Sequence, residues 1–185
     1  MVLAAGSGSR MGGNKAELML DGVRLLDRAI TVLSQAGCSR IVAVVRRGTS
    51  VEGARAVVNE DPDRGMRSSL ELGIDAAGSA PADAVAVILV DTPGVTAEAV
   101  RAVIDAWRPG RIAVAAYDGR RGHPIVMAHQ QWRHALALAG PDEGARAFLR
   151  EDAAAVDEVT VGGDPTDLDT PEEFAAWVMG HDKPR

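Results

Sequence analysis

Short β-branched runs alternate with segments of helical spacing along most of this chain, and that alternation constrains its fold more than any other feature. The runs fall at 1–4, 41–45, 56–58, 85–90 and 112–116. Between them Leu26, Ala29, Ile30 and Leu33 share one helical face, and Val100, Val103, Ile104 and Trp107 share another. Thr96 stands where it can cap the second of these helices, with Glu98 in its first turn. A βαβα order of this kind implies an α/β chain with a mostly parallel sheet covered by helices on both faces. Farther on, the pattern predicts a strand at 124–127, helices over 132–138 and 145–149, and a strand at 156–161. A last amphipathic helix should open at Pro171, with Thr170 as its N-cap and Phe174, Trp177 and Val178 turned inward. The tail 181–185 is expected to fray. No repeat is visible and the Gly/Ala/Pro stretch 77–82 is too short for a linker, so one domain over 1–185 is expected. A first strand of three or four residues is short enough to suggest a few native residues upstream of Met1.

Composition narrows the chemistry. Of the 185 residues, 46% are hydrophobic and only 25% charged, which argues against a disordered chain. Aromatics reach only 3%, so the core must be built from Ala, Val, Leu and Ile. A formal charge of −6 leaves no basic surplus for a phosphate backbone or an anionic membrane, so neither nucleic acid nor membrane is an expected partner. The apolar run 84–90 is far too short to span a bilayer. Cys38 has no second cysteine to pair with, and the four histidines are scattered without zinc spacing, so a reducing cytoplasm is the expected setting.

The strongest local signal follows the first run directly: Leu3-Ala4-Ala5-Gly6-Ser7-Gly8-Ser9-Arg10-Met11-Gly12-Gly13-Asn14-Lys15. Its glycines let the backbone turn with positive φ and bring N–H groups close to an anion, while Arg10 and Lys15 supply charge at its two ends. It matches neither the Walker pattern nor the dinucleotide fingerprint. A plain Gly/Ser connection is the simpler alternative, but Lys15 weighs against it. Only two of the twenty Lys and Arg residues are lysine, and the other, Lys183, is in the tail.

Asp91 ends the run 85–90, where the carboxyl ends of parallel strands face a ligand crevice, and is followed by Thr92-Pro93-Gly94. It suits a hard divalent cation that takes one or two carboxylates plus phosphate oxygens; the alternative is an Asp that merely starts a turn. Asp169, in Asp167-Leu168-Asp169-Thr170, could be a second ligand or simply an acidic residue favouring a helix start. The stretch from Asn59 through Gly65 to Ser68 and Ser69 would offer N–H and hydroxyl groups at another helix start. Gly119-Arg120-Arg121-Gly122-His123 is a basic turn at the mouth of a strand.

In this order, LAAGSGSRMGGNK, VNEDPDRGMRSSL, VDTPGV, RGHPI, GPDEGAR and DLDTPEEF resemble the nucleotidyltransferase family that attaches nucleotides to the molybdenum cofactor. The resemblance implies a three-layer α/β/α, Rossmann-like fold, an NTP substrate with Mg²⁺ (Mn²⁺ as a substitute), and a molybdopterin-type acceptor, with a molybdoenzyme or its chaperone as a further partner. Ala4-Ala5-Gly6 with GMRSSL is similar to the cytidylyl branch, so CTP is expected over GTP. Carried over, Leu3, Ala4, Ala5, Gly6, Gly8, Gly12, Asn59, Gly65 and Ser68 bind the nucleotide. Arg10 and Lys15 face its phosphates, Asp91 and Asp169 hold the metal, and His123 and Asp142 lie on the acceptor side. The chain departs from the pattern at Asn14, where many members have Pro, at Thr92, and in a longer GPDEGAR segment. Members with the wording DTPGV and YDGRRGHP are also often called nicotine blue oxidoreductase, which implies a flavin- or nicotinamide-dependent reductase. A nucleotide-binding module without turnover is the third alternative.

Overall fold

A computed structural model describes residues 1–6, 8, 11, 13–79, 82–141 and 143–181. Arg10, Gly12, Asp142 and the tail 182–185, all singled out above, lie outside the described residues. The chain opens with β1 (Val2–Ala4), the glycine-rich segment and a short 3₁₀ turn at Lys15–Glu17. A small hairpin follows, β2 (Met19–Leu20) and β3 (Val23–Arg24), and leads into α1 (Leu25–Gln35). Next come β4 (Val42–Arg46), β5 (Arg55–Asn59), α2 (Met66–Ala77), β6 (Val85–Leu89) and α3 (Ala97–Ala106). The remainder is β7 (Ile112–Tyr117), β8 (Arg120–Met127), α4 (His129–Leu138), α5 (Arg146–Glu151), β9 (Val156–Thr160) and α6 (Pro171–His181).

Among the described residues seven strands form one sheet in the order β5-β4-β1-β6-β8-β7-β9. All pairings are parallel except the two made by β8. Alternate strand residues enter opposite cores, as the period of 2 requires. Leu3, Val44 and Val87 meet Leu70, Ile74, Trp132 and Phe148 on one face. Val2, Ala43, Val45 and Ile88 meet Leu26, Leu33 and Val100 on the other. Both faces are therefore covered, and the three-layer α/β/α, Rossmann-like expectation holds.

The caps read from the sequence form as well. Thr96 Oγ1 accepts from the Ala99 N–H at 3.1 Å. Thr170 Oγ1 accepts from the Glu173 N–H at 3.2 Å while Glu173 returns its carboxylate to the Thr170 N–H at 2.9 Å, a reciprocal capping box.

Two elements differ from the expectation. The β2–β3 hairpin turns on Asp21 and Gly22, both with positive φ (51° and 76°), the backbone of a type I′ turn and the usual work of an Asp-Gly pair. β8 begins at Arg120 rather than 124 and runs antiparallel between β6 and β7. Pro124 is tolerated in this central strand because the β7–β8 register slips there, from Val114↔Ile125 to Ala115↔Gly122, leaving His123 and Pro124 outside the ladder.

Strand polarity decides where chemistry can gather. The carboxyl ends of β1, β4, β5 and β6 share one edge of the sheet, and antiparallel β8 brings its amino end, with His123, to that same edge.

Candidate active site

At that edge the segment after β1 folds tightly on itself. The Gly8 carbonyl accepts from Met11 N–H at 2.8 Å and from Gly13 N–H at 3.4 Å. Gly8 has φ +55°, and a Cβ there would lie 1.9 Å from the Gly13 carbonyl oxygen, so no other residue fits. Asn14, the departure from the usual Pro, caps the next turn: its Oδ1 accepts from Ala16 N–H at 3.2 Å and its Nδ2 donates to Thr49 Oγ1 at 2.9 Å. Buried Ala16 anchors that turn in the core and directs Lys15 back beneath the loop.

The Lys15 ammonium donates to two carboxylates, Asp91 Oδ2 at 2.8 Å and Asp169 Oδ1 at 2.5 Å. Burial alone would push the lysine pKa down, but these facing carboxylates outweigh it and hold the ammonium above its ordinary range. Asp169 reaches Asp91 because the segment before α6 is clipped to the loop after β6. Leu168 N–H donates to the Asp91 carbonyl at 2.8 Å, and Asp164 N–H donates to the Gly94 carbonyl at 3.1 Å. A Cβ on Gly94 would lie 2.6 Å from the Asp164 carbonyl oxygen, so this close approach needs glycine in the DTPG turn.

A cleft of about 450 Å³ opens over these groups, lined by Leu3, Ala5, Gly6, Gly8, Lys15, Gly65, Ser69, Asp91 and Asp169, with Asp63 at its side. Arg46, at the end of β4, donates to the Ala5 carbonyl at 3.1 Å and pairs with Asp63 at 3.4 Å. Arg46 belongs to none of the motifs above, although a charged residue closing the buried run Val42–Arg46 is a usable signal.

Asn59 and Ser68 stand differently. Asn59 Nδ2 donates to the hydroxyls of Ser68 at 3.0 Å and Ser69 at 2.9 Å, its Oδ1 accepts from Asp61 N–H, and the Ser68 hydroxyl donates to the Gly65 carbonyl. Both side chains are buried, and this network fixes the start of α2, leaving Ser69 rather than Ser68 in the cleft wall. The expected N–H display there is also partly used, since Arg67 N–H is held by the Pro141 carbonyl and Ser68 N–H by the Gly65 carbonyl. Ala4 is buried in the opposite core and supports the loop without lining the cleft.

A second cleft of about 450 Å³ continues from the first through Leu3, Met66 and Leu89. Its wall is apolar at Leu70, Ile125 and Trp132, with Arg120, Arg146 and His123 around it. Among the described residues Arg120 and Arg146 make no ion pair. His123 Nδ1 donates to the Val87 carbonyl at 3.1 Å, which fixes the tautomer and leaves Nε2 as an acceptor. Burial lowers the His123 pKa, against the opposing pull of that carbonyl and of Asp91, so the ring is neutral at pH 7. The larger cavity of about 610 Å³ beside Cys38 and Trp107 lies at the amino ends of the strands, away from this chemistry.

The carboxylates fit a divalent cation. Among the described residues Asp91 Oδ1 is buried without a hydrogen-bond partner, an oxygen whose desolvation they leave uncompensated. No cluster of three or more His, Cys, Asp or Glu suited to a metal occurs among the described residues, so two carboxylates would need phosphate oxygens and water to complete a shell.

The family profile described as the MobA-like NTP transferase domain matches residues 1–158. A nicotine blue oxidoreductase of Paenarthrobacter nicotinovorans is 36% identical over 94% of this chain and 93% of its own length. A probable molybdenum cofactor guanylyltransferase of Opitutus terrae is 36% identical over 64% of this chain and 60% of its own. Among solved structures, Rv0371c of Mycobacterium tuberculosis H37Rv is 26% identical with TM-score 0.82, covering 96% of this chain and 95% of that one. The same protein was also solved in complex with manganese, at 25% identity, TM-score 0.74 and 96% coverage of both chains.

Proposed function

The chain belongs to the MobA-like NTP transferase domain family, and from that premise we propose that it moves a nucleotidyl group, CMP from CTP in preference to GMP from GTP, onto the phosphate of a molybdopterin-type acceptor. The observation that carries this reading is the meeting of Lys15, Asp91 and Asp169 under a glycine-rich loop, in a cleft continuous with a second one of similar size. Three carboxylates, Asp63, Asp91 and Asp169, surround that cleft against Lys15 and Arg46, so a triphosphate enters it only with its charge offset. A bound Mg²⁺ would supply that offset, held by Asp91 and Asp169.

An oxygen of the acceptor phosphate attacks the α-phosphorus, the bond from that phosphorus to the bridging oxygen breaks, and pyrophosphate leaves with the electron pair. Negative charge spreads over the phosphoryl oxygens and no proton needs to be removed, so positioning and charge neutralisation do the work. Lys15 serves the α-phosphate, and backbone N–H groups of the loop, with Arg10 and Gly12 in it, serve the β- and γ-phosphates. Gly65 and Ser69 border the nucleoside, with Asn59 and Ser68 holding that wall in place. The acceptor occupies the second cleft, where Arg120 and Arg146 suit an anion and His123 Nε2 accepts from an N–H or O–H; Asp142 is assigned to the same side. A molybdoenzyme or its chaperone would receive the product.

The test is pyrophosphate release by the purified protein with each NTP in turn and Mg²⁺, with and without molybdopterin, CTP and GTP also being set in competition. Acceptor-dependent release that favours CTP supports the reading, and a clear preference for GTP moves the protein to the guanylyl branch.

The identity to a nicotine blue oxidoreductase favours a second reading, an NAD(P)H- or flavin-dependent reductase. A dinucleotide's pyrophosphate would meet the same carboxylates, which makes this the weaker reading without a cation. Bound flavin, or NAD(P)H oxidation that Asp91→Asn leaves untouched, would put it first.

A further inference from the structure

We propose that Lys15 is the resident counter-ion of the metal site, occupying the space between Asp91 and Asp169 in the nucleotide-free protein and releasing it only when phosphates draw the ammonium away. The inference rests on the nucleotidyl-transfer reading and concerns the regulation of that same site.

One ammonium donates to both carboxylates, at 2.8 and 2.5 Å, so it sits where a cation bridging the two would sit. Ammonium and metal compete for the same oxygens, and a divalent ion approaching the pair also meets the lysine's charge. The ammonium takes one oxygen of each carboxylate. The two that remain, Asp91 Oδ1, buried without a hydrogen-bond partner among the described residues, and Asp169 Oδ2 on a half-exposed side chain, are reached by a metal only beside the lysine's charge. The Lys15 side chain is 10% exposed and that of Asp91 19%, so little water screens that contact, whereas Asp169, at 44%, is the wetter partner.

The route by which Lys15 leaves is also visible. Its backbone is fixed by the Asn14 cap and buried Ala16, while its Cγ passes 3.4 Å from where a Gly8 Cβ would be. The stem therefore runs beneath the glycine-rich loop, and a small swing carries the head from the carboxylates toward an anion bound under that loop. A triphosphate gives the ammonium a new partner and lends the freed carboxylates the phosphate oxygens that the metal still lacks. Metal and nucleotide then bind with positive coupling, and each raises the affinity of the other by the same factor.

The experiment titrates Mn²⁺ into the whole protein, following free Mn²⁺ by electron paramagnetic resonance, with and without α,β-methylene-CTP. The metal bound by the analogue alone is subtracted. In wild type the analogue should raise Mn²⁺ affinity by about tenfold or more. Lys15→Met without nucleotide should bind Mn²⁺ about tenfold tighter than wild type, lose most of the further gain from the analogue, and lose its new affinity when Asp169→Asn is added. Nucleotide-free Lys15→Met that binds Mn²⁺ no tighter than wild type overturns the counter-ion role. Lys15→Gln serves in its place if the Met variant does not fold. Without any variant, nucleotide-free wild type that holds Mn²⁺ as tightly as the nucleotide complex also overturns it. An analogue that binds normally while either of these results appears leaves the nucleotidyl-transfer reading standing, whereas failure of both this analogue and α,β-methylene-GTP to bind overturns both.

Discussion

Replacing Asp91 by Asn separates a structural carboxylate from a functional one. In the free protein the change removes one of two charges on Lys15, leaving Asp169 Oδ1 at 2.5 Å as its partner. A charge-assisted hydrogen bond is worth about 1.5–3 kcal/mol, but its removal is largely offset because Asp91 Oδ1, without a partner among the described residues, no longer has to hold charge out of water. The two terms nearly cancel, so stability should change by no more than about 1 kcal/mol, or about 2–4 °C in Tm for a chain of this size. In turnover nothing cancels. The neutral side chain cannot help hold the cation that offsets the triphosphate, and kcat should fall about 100-fold or more, equivalent to about 2.7 kcal/mol. Pyrophosphate release and urea unfolding on the same preparation give both numbers. Near-normal turnover would refute the metal assignment, and a loss of stability as large as the loss of rate would reduce Asp91 to a structural residue.

Two further predictions follow from the loop and from the second cleft. Gly8→Ala must either abandon φ +55° or drive a Cβ into the Gly13 carbonyl, costing about 1–3 kcal/mol; thermal unfolding should register the loss and nucleotide affinity should fall, and an unchanged Tm would refute the tight turn. His123 has its folded pKa lowered by burial from the ordinary 6.5. The unfolded chain therefore takes up a proton first as pH falls, and the stability from the neutral ring, complete above 6.5, is lost on going down through the folded pKa. Urea unfolding from about pH 7.5 to 5.5 should be steeper for wild type than for His123→Gln, and equal slopes would refute the buried neutral ring.

What could be read from the sequence depended on the range of the interaction. β1, β4 and β6 were legible because each is an unbroken apolar run, the mark of a strand buried on both faces. Asp91 and the glycine-rich loop were legible because each abuts such a run. The β2–β3 hairpin escaped since strands of two residues show no periodicity, although Asp21-Gly22 was a turn signal. The first half of β8 escaped because Arg120, Arg121 and Gly122 carry no apolar alternation, and Pro124 concealed the strand's central place. Asn59 and Ser68 were recognisable as polar residues near a helix start, but nothing local told that they would satisfy each other. The bridging of Asp91 and Asp169 by Lys15 spans 76 and 154 residues and leaves no trace in spacing. The clips of Leu168 to Asp91 and of Asp164 to Gly94 bring that triad together.

The central claim is that the bond broken lies between the α- and β-phosphorus of a nucleoside triphosphate, and the position of a radiolabel reports it directly. Purified protein would be given molybdopterin, Mg²⁺ and CTP labelled with ³²P at either the α or the γ position, and the products separated. The account predicts that α-label appears in the acceptor product while γ-label leaves entirely in pyrophosphate, and that both outcomes vanish in Asp91→Asn. Gamma-label on the acceptor, or intact CTP beside robust NAD(P)H-dependent reduction of a dye, would contradict it.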